Sequence, residues 1–257
     1  MSIPRIAVIG GTGMNQWPGL KVERQLDIDT PYGKPSAPIV VGRVYGIEAA
    51  FLARHGEGHK LPPHAINYRA NIAALQQAGV RSIVAIAAVG GIAPWFPPGA
   101  VGVPVDMLDY TWGREHTYSD GAHSELRHIE FTEPYSERIR RELIHAALAQ
   151  RIDIADGGVM AVTQGPRLES AAEVRRLKRD GSDMVGMTGM PEAALAKELG
   201  LDYACLAVCV NWAAGIGAGD IHGEIQASIE AGMAKVRDIL THALPVLLAG
   251  DEEMRSS

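Results

Sequence analysis

Cysteine is almost absent from this chain of 257 residues, which has only Cys205 and Cys209, close together in one apolar segment. Two such neighbours make no disulfide framework, and a reducing, cytoplasmic compartment is expected. Positive charge is short as well. The 24 Lys and Arg against 30 Asp and Glu leave a net charge of -6, with no basic run to neutralise a nucleic-acid backbone. A small ligand is expected, and no nucleic acid. Long hydrophobic runs are missing too. The longest, Ile83 to Phe96, is interrupted by Gly90 and Gly91 and meets Pro94, short of the roughly 20 residues a membrane helix needs. The N-terminus lacks the basic, apolar and small-residue series of a secretory signal, and neither export nor membrane contact is expected. No internal repeat, low-complexity tract or linker divides the chain. It reads as one α/β domain over residues 1–257, with its core at about 5–248 and a mixed sheet.

What is present begins with a 47% hydrophobic content, enough for a substantial core. The stretch Arg5 to Gly13 organises the rest. Ile6 to Ile9 is an apolar run too short for a helix, and Gly10, Gly11 and Gly13 end it with residues free to take positive φ. Such a turn gathers backbone N–H groups, and Thr12 adds a hydroxyl, so phosphate is a natural guest. A Walker loop is excluded because no lysine occurs before Lys21. A dinucleotide fingerprint fails because Gln16 stands where its third glycine belongs.

Further along, Lys21 to Ile28 alternates loosely. Ile39-Val40-Val41 and Ala49 to Leu52 flank the turn-like Tyr45-Gly46 and are expected to pair antiparallel. The spacing predicts a helix over Ala65 to Ala78, stopped by Gly79, then strands at Ser82 to Val89 and Val101 to Leu108. The polar stretch Gly113 to Arg127 has no periodicity and is longer than a simple connection. Helices are expected at Ser136 to Ala149, Ser170 to Lys178, Pro191 to Gly200 and Ile221 to Leu248, the last bent or shortened at Pro245. Strands are expected at Gly158 to Val162, Met184 to Met187 and Tyr203 to Val210.

Three groups of residues carry chemistry. Arg54-His55-Gly56-Glu57-Gly58-His59 follows a strand end. Its His-x-Glu-x-His spacing is not the helical His-Glu-x-x-His of zinc proteases, and two glycines argue against a helix, so no metal is expected. A guanidinium fork suits an oxyanion, and an imidazole can donate beside it. Thr188, before a helix start at Pro191, adds a third anion-friendly loop. A surface arginine, a core histidine and a plain helix cap are the alternatives for each taken singly. Three such loops at strand ends suggest one ligand site.

Five blocks in order carry a family resemblance: Gly10 to Gly13, Ala53 to Gly56, Asn67 to Asn71, Thr163 to Glu169, and Asp183 to Glu192. Together they resemble the trimeric purine nucleoside and methylthioadenosine phosphorylases, over residues 5 to about 240, and most of all the bacterial branch that cleaves methylthioinosine. The resemblance implies a distorted mixed β-sheet or barrel surrounded by helices, a homotrimer with sites at subunit edges, and phosphate as co-substrate without cofactor. It places Thr12, Arg54, His55, Ala87, Ala88 and Thr188 around phosphate. Ala87 stands where family members often carry a hydroxyl, so backbone N–H groups are expected to bear more of the load. It places Leu168, Glu169, Met187, Asn211, Ala213, Ile221 and Ile225 around the nucleoside, with His128 reaching into a neighbouring subunit's site near the 5' group. The catalytic set it implies is Asn211, Arg54 and His55.

The implied reaction is phosphorolysis, in which phosphate displaces a purine from C1' and leaves a sugar 1-phosphate. The hydrogen-bond inventory then favours a base. Hypoxanthine offers an acceptor at O6 and a donor at N1, matching an Asn211 amide and a Glu169 carboxylate, whereas adenine presents the reverse. The resemblance puts Ile221 and Ile225 at the 5' end, where an apolar wall suits a methylthio group. His222, one residue away, is the polar alternative and would favour inosine. A nucleoside-binding sensor and an NAD-dependent enzyme are the competing classes. The phosphate clamp speaks against the first, the missing glycine against the second.

Overall fold

Four buried aliphatic residues in a row give the central strand β1 (Ile6–Gly10). After β2 (Lys21–Leu26), β3 (Ile39–Val44) and β4 (Ile47–Ala53) form the expected antiparallel hairpin. Its turn residues Tyr45 and Gly46 both take positive φ, 54° and 81°, which matches the twist of the strands they join. A 3-10 turn at Pro63–Ala65 leads to α1 (Tyr68–Gln77), whose start is capped by the Asn67 side chain accepting from the Ala70 N–H. The chain continues through β5 (Ser82–Gly91), β6 (Val101–Val103), β7 (Asp106–Asp109), α2 (Glu137–Ala149), β8 (Ala155–Asp156) and β9 (Val159–Val162). It ends with α3 (Ala171–Arg179), β10 (Met184–Gly186), α4 (Gly189–Glu198), β11 (Asp202–Trp212) and α5 (Ile221–Ser256). This computed structural model describes residues 5–14, 17–119, 121, 125–217 and 221–256, with backbone alone at 221–224 and 252–256.

Two expectations need correction. Val101 to Leu108 is not one strand, because Pro104 has no N–H to give a ladder. Its halves go to different neighbours: β6 pairs with β11 and β8, β7 with β9. The last helix is not shortened at Pro245, for α5 runs on to Ser256.

All strands belong to one mixed sheet among the described residues, ordered β2-β3-β4-β1-β5-β10-β9-β7, with β11 joined to β5. The sheet forks at β5. Along one edge β11 pairs with it from Ser82 to Gly91. The other edge is shared: β1 takes Ser82 to Ala85 and β10 takes Gly90 and Gly91. Ile86 to Val89 therefore face a gap between β1 and β10. One helix surface over this sheet is α5, packed on β11, while α1 packs on α4.

Candidate active site

A cleft of about 220 Å³ occupies the gap left by the fork. Thr12, Arg54, His55, Ala87, Ala88 and Thr188 line it, and so do Leu168, Glu169, Met187, Asn211, Ala213 and Ile225. Residues expected from separate stretches thus meet in one place. His128 does not join them; it is exposed on the long loop and lines no part of this cleft. The Ile221 side chain, and that of His222, lie outside the described residues.

The glycine turn is closed by the Met14 N–H on the Gly11 carbonyl, with Gly13 at φ 85°. Gly11 has a steric reason to be glycine: a Cβ there would stand 2.5 Å from the Ile86 carbonyl oxygen and 2.8 Å from Arg54 Nη1. Alternation along β5 sends the Ala88 N–H to the same open edge as the Ile86 carbonyl, so a backbone donor faces the gap beside the Ala87 methyl.

Arg54 is fully buried and held on three sides. Nε and Nη2 donate to Glu192 Oε2 and Oε1, each at 2.7 Å, and Nη1 donates to the Ile86 carbonyl at 2.9 Å. Tyr203 adds its hydroxyl to Glu192 Oε1 at 2.8 Å. Of the five guanidinium N–H groups, one on Nη1 and one on Nη2 remain for the cleft. Burial alone would lower the Arg54 pKa, but Glu192 outweighs it and the net push is upward. The cation is therefore permanent and its plane fixed.

His55 corrects the expectation of a donating imidazole. Its Nδ1 lies 2.9 Å from the Leu61 carbonyl oxygen, which only accepts, so Nδ1 carries the hydrogen. Burial first, with Arg54 and His59 adding to it, lowers the pKa to about 4. The ring is neutral at pH 7, and Nε2 offers a lone pair rather than a proton.

Thr188 precedes α4 but caps nothing through its side chain. Regular helix begins at Pro191, where it was expected, because Met190 is still extended (φ -115°, ψ 138°). The Thr188 hydroxyl is left to the cleft it lines.

On the opposite wall, β11 carries a bulge: its register against β5 jumps between Cys209 and Asn211. Consecutive strand residues ordinarily point to opposite faces, yet Val210 and Asn211 both line the cleft, which the bulge permits. Asn211 Nδ2 donates to the Trp212 carbonyl at 2.7 Å, leaving its second N–H and Oδ1. Glu169 Oε1 accepts from the Thr163 hydroxyl at 2.5 Å, which leaves Oε2.

Sequence reasoning missed several residues. Glu192 ended a quoted motif without a role, and only the fold shows it as the buried counter-ion of Arg54. Ile229, one turn after Ile225, also lines the cleft, a helical spacing that was available. The loop Gly113 to Arg127 has clear intrachain attachments at its start. Arg114 is buried, Thr117 Oγ1 and the Tyr118 N–H both donate to Glu198, and the Tyr118 hydroxyl donates to the Arg69 carbonyl. Among the described residues no three His, Cys, Asp or Glu side chains gather as a metal site, and no helix is long and apolar enough to cross a membrane.

Known proteins match this arrangement. The phosphorylase superfamily model covers residues 5–245. A protein of Xanthomonas campestris pv. campestris named "Probable S-methyl-5'-thioinosine phosphorylase" is 54% identical over 82% of this chain and 85% of its own. A protein of the same name in Pseudomonas syringae pv. tomato is 53% identical over 93% of this chain and 97% of its own. Among solved structures, a methylthioadenosine phosphorylase from Schistosoma mansoni in complex with adenine superposes with a TM-score of 0.88 at 31% identity, covering 96% of this chain and 92% of that one.

Proposed function

The chain belongs to the phosphorylase superfamily and is a nucleoside phosphorylase, a pentosyltransferase, and on that premise we propose that 5'-methylthioinosine is its preferred substrate. The observation that carries the reading is the pairing, across one cleft, of a fixed guanidinium with two free N–H groups and a wall bearing Asn211 and Glu169.

Hydrogenphosphate sits against Arg54, Thr12, Thr188 and the Ala88 N–H. Its P–OH gives a hydrogen bond to the His55 Nε2 lone pair, consistent with the neutral ring. A phosphate oxygen forms a bond to C1' as the C1'–N9 bond breaks, and the purine leaves with the electron pair. Both reactants held in one geometry, with donors aimed where charge develops, supply the acceleration. Asn211 donates to N7 or O6 of the departing base, Glu169 Oε2 accepts from N1–H, and Leu168, Met187 and Ala213 pack on base and sugar. The departing base takes up one proton, from the P–OH or from water, so the products are hypoxanthine and 5-methylthioribose 1-phosphate, and the balance needs neither metal nor cofactor. At the 5' end, Ile225 and Ile229 offer an apolar wall that a methylthio group prefers to water. Ile221 belongs to the same proposal.

The proposal extends to a homotrimer, with His128 serving a neighbouring site; its exposure and that of Leu126, 75%, support this. It also extends to the cytoplasm, supported by two free buried cysteines whose thiols burial pushes up to about 12.

The test is base release from methylthioinosine, inosine, methylthioadenosine and adenosine with phosphate. Methylthioinosine is expected to lead, and Asn211→Asp to move preference toward the 6-amino base. A polar mismatch in such a site costs on the order of 10⁴-fold. Faster cleavage of methylthioadenosine refutes the Asn211 and Glu169 reading; faster cleavage of inosine refutes the apolar 5' wall.

A further inference from the structure

We propose that Arg114 is a positioning residue of this site: it ties the loop carrying Leu168 and Glu169 to the loop carrying Met187 and Thr188. The proposal rests on the cleft being a nucleoside phosphorylase site. Arg114 lines no part of the cleft, so it acts through the two loops that do.

The tie stands where regular pairing stops. The β9–β10 ladder ends at Val162 and Gly186, after which one more bond, Thr163 N–H to the Gly186 carbonyl, joins the two chains. Beyond it both chains leave the sheet, one toward the purine wall and one toward the sugar and phosphate wall. The Arg114 guanidinium bridges them. Nη2 donates to the carbonyls of Gln164 at 2.9 Å and Thr163 at 3.3 Å, and Nη1 donates to those of Met187 at 2.9 Å and Met190 at 2.5 Å. Nε donates to Gln164 Oε1 at 3.2 Å.

A third wall is attached as well. The Tyr68 hydroxyl lies 3.3 Å from Nη1 and itself donates to the carbonyl of Pro63, a cleft residue, at 2.9 Å. The guanidinium also lies 5.4 Å from the centre of the Tyr68 ring.

Arg114 is 8% exposed, and among the described residues no carboxylate forms an ion pair with it. A buried cation whose hydrogen bonds all go to neutral oxygens is costly unless all its N–H groups are used, and here they are. A planar fork of fixed geometry holds several carbonyls at set separations, which a lysine point charge cannot do. Loss of the fork lets the two walls drift, and a misplacement of about 1 Å at a reacting centre costs roughly 10²-fold in rate.

The experiment compares wild type, Arg114→Met and Arg114→Lys with methylthioinosine and phosphate, alongside hydrogen exchange. Arg114→Met is expected to lose roughly 10²-fold in kcat, to raise KM for the nucleoside, and to recover in part when guanidinium ion is added. Arg114→Lys should fall between the two. Exchange should rise together in 163–169 and 187–191 and stay unchanged in β1 and β5. The proposal is overturned if Arg114→Met matches wild type. It is equally overturned if kcat falls in step with the folded fraction while both KM values hold and guanidinium rescues nothing. Should Arg114→Met not fold, Arg114→Lys is judged by the same readings. Wild type that cleaves no purine nucleoside refutes the phosphorylase reading instead, and the exchange pattern still decides the tie.

Discussion

Arg54 and Glu192 are a single unit, and this changes how either is probed. Arg54→Ala looks from sequence like a clean removal of an anion contact that leaves the protein folded. In the structure it also strands a carboxylate of 0% exposure, with Tyr203 as its remaining partner. Breaking a buried pair in this way costs about 3–5 kcal/mol. Arg54→Ala is therefore expected to lose both phosphate-dependent turnover and stability. Arg54→Lys keeps a charge near Glu192 and loses the fork, so it should retain most of the stability and still lose roughly 10²-fold in kcat/KM for phosphate. Denaturant titration beside phosphate kinetics separates the two, and full activity in Arg54→Lys would remove the fork from the argument.

His55 supplies a pH dependence with a definite sign. Its folded pKa is about 4, held down by burial, Arg54 and His59 against the opposing Leu61 carbonyl and Glu192. The unfolded value is near 6.5, so between those pH values the unfolded chain binds more protons. The stability from neutral His55 is complete above about pH 6.5 and is lost as pH falls toward 4, by at most about 3 kcal/mol. His55→Gln should flatten the acid limb of a stability-against-pH curve measured by denaturant midpoint. An unchanged limb would place the acid sensitivity elsewhere.

At the scale of elements, the turn after β1 and the open edge of β5 fit together without spare room. Gly11→Ala would drive a methyl into the Ile86 carbonyl and Arg54 Nη1. Overpacking of this kind costs about 1–3 kcal/mol, while displacement of the guanidinium should cost roughly 10²-fold in activity. Activity falling far more than the melting temperature is the expected pattern; equal activity would show that the turn yields.

What the sequence disclosed follows the same division between local and remote causes. The β3–β4 hairpin, the α1 stop at Gly79 and the Ser170 start of α3 depend on neighbours within a few residues, and they were legible. Ser170 even completes a capping box with Glu173. The break at Pro104 could have been read, since a residue without an N–H ends a ladder, but the distant partners that take each half could not. Cleft residues were found through glycine, hydroxyl and charge patterns together with the family resemblance. Glu192 and Arg114 escaped because nothing nearby in sequence marks a buried carboxylate or a carbonyl-bound guanidinium. The β11 bulge that aims Asn211 leaves no trace in composition at all.

For the whole molecule, assembly is the largest open expectation. Exposed Leu126 and His128 lie on a loop whose beginning is fastened by Arg114 and Tyr118. Heterologous burial of such a surface in a closed ring of three is the expected use. Sedimentation should report three chains per particle, with activity falling on dilution into monomer; a fully active monomer would overturn the trimer and the role of His128 together.

The cleft also joins distant stretches of the described chain. Gly13 lies against Ile229, where an added Cβ would come within 2.8 Å of Cγ2, and α5 reaches back to β5 through Asp251 accepting from Ser82 at 3.0 Å. During synthesis the strands through β11 leave the ribosome before this helix does. For that interval every described strand exists while the Ile225 and Ile229 wall of the cleft is missing. A nascent chain can therefore arrange its sheet and yet lack one wall of the cleft, and translation must pass α5 before substrate can hold the complete site folded.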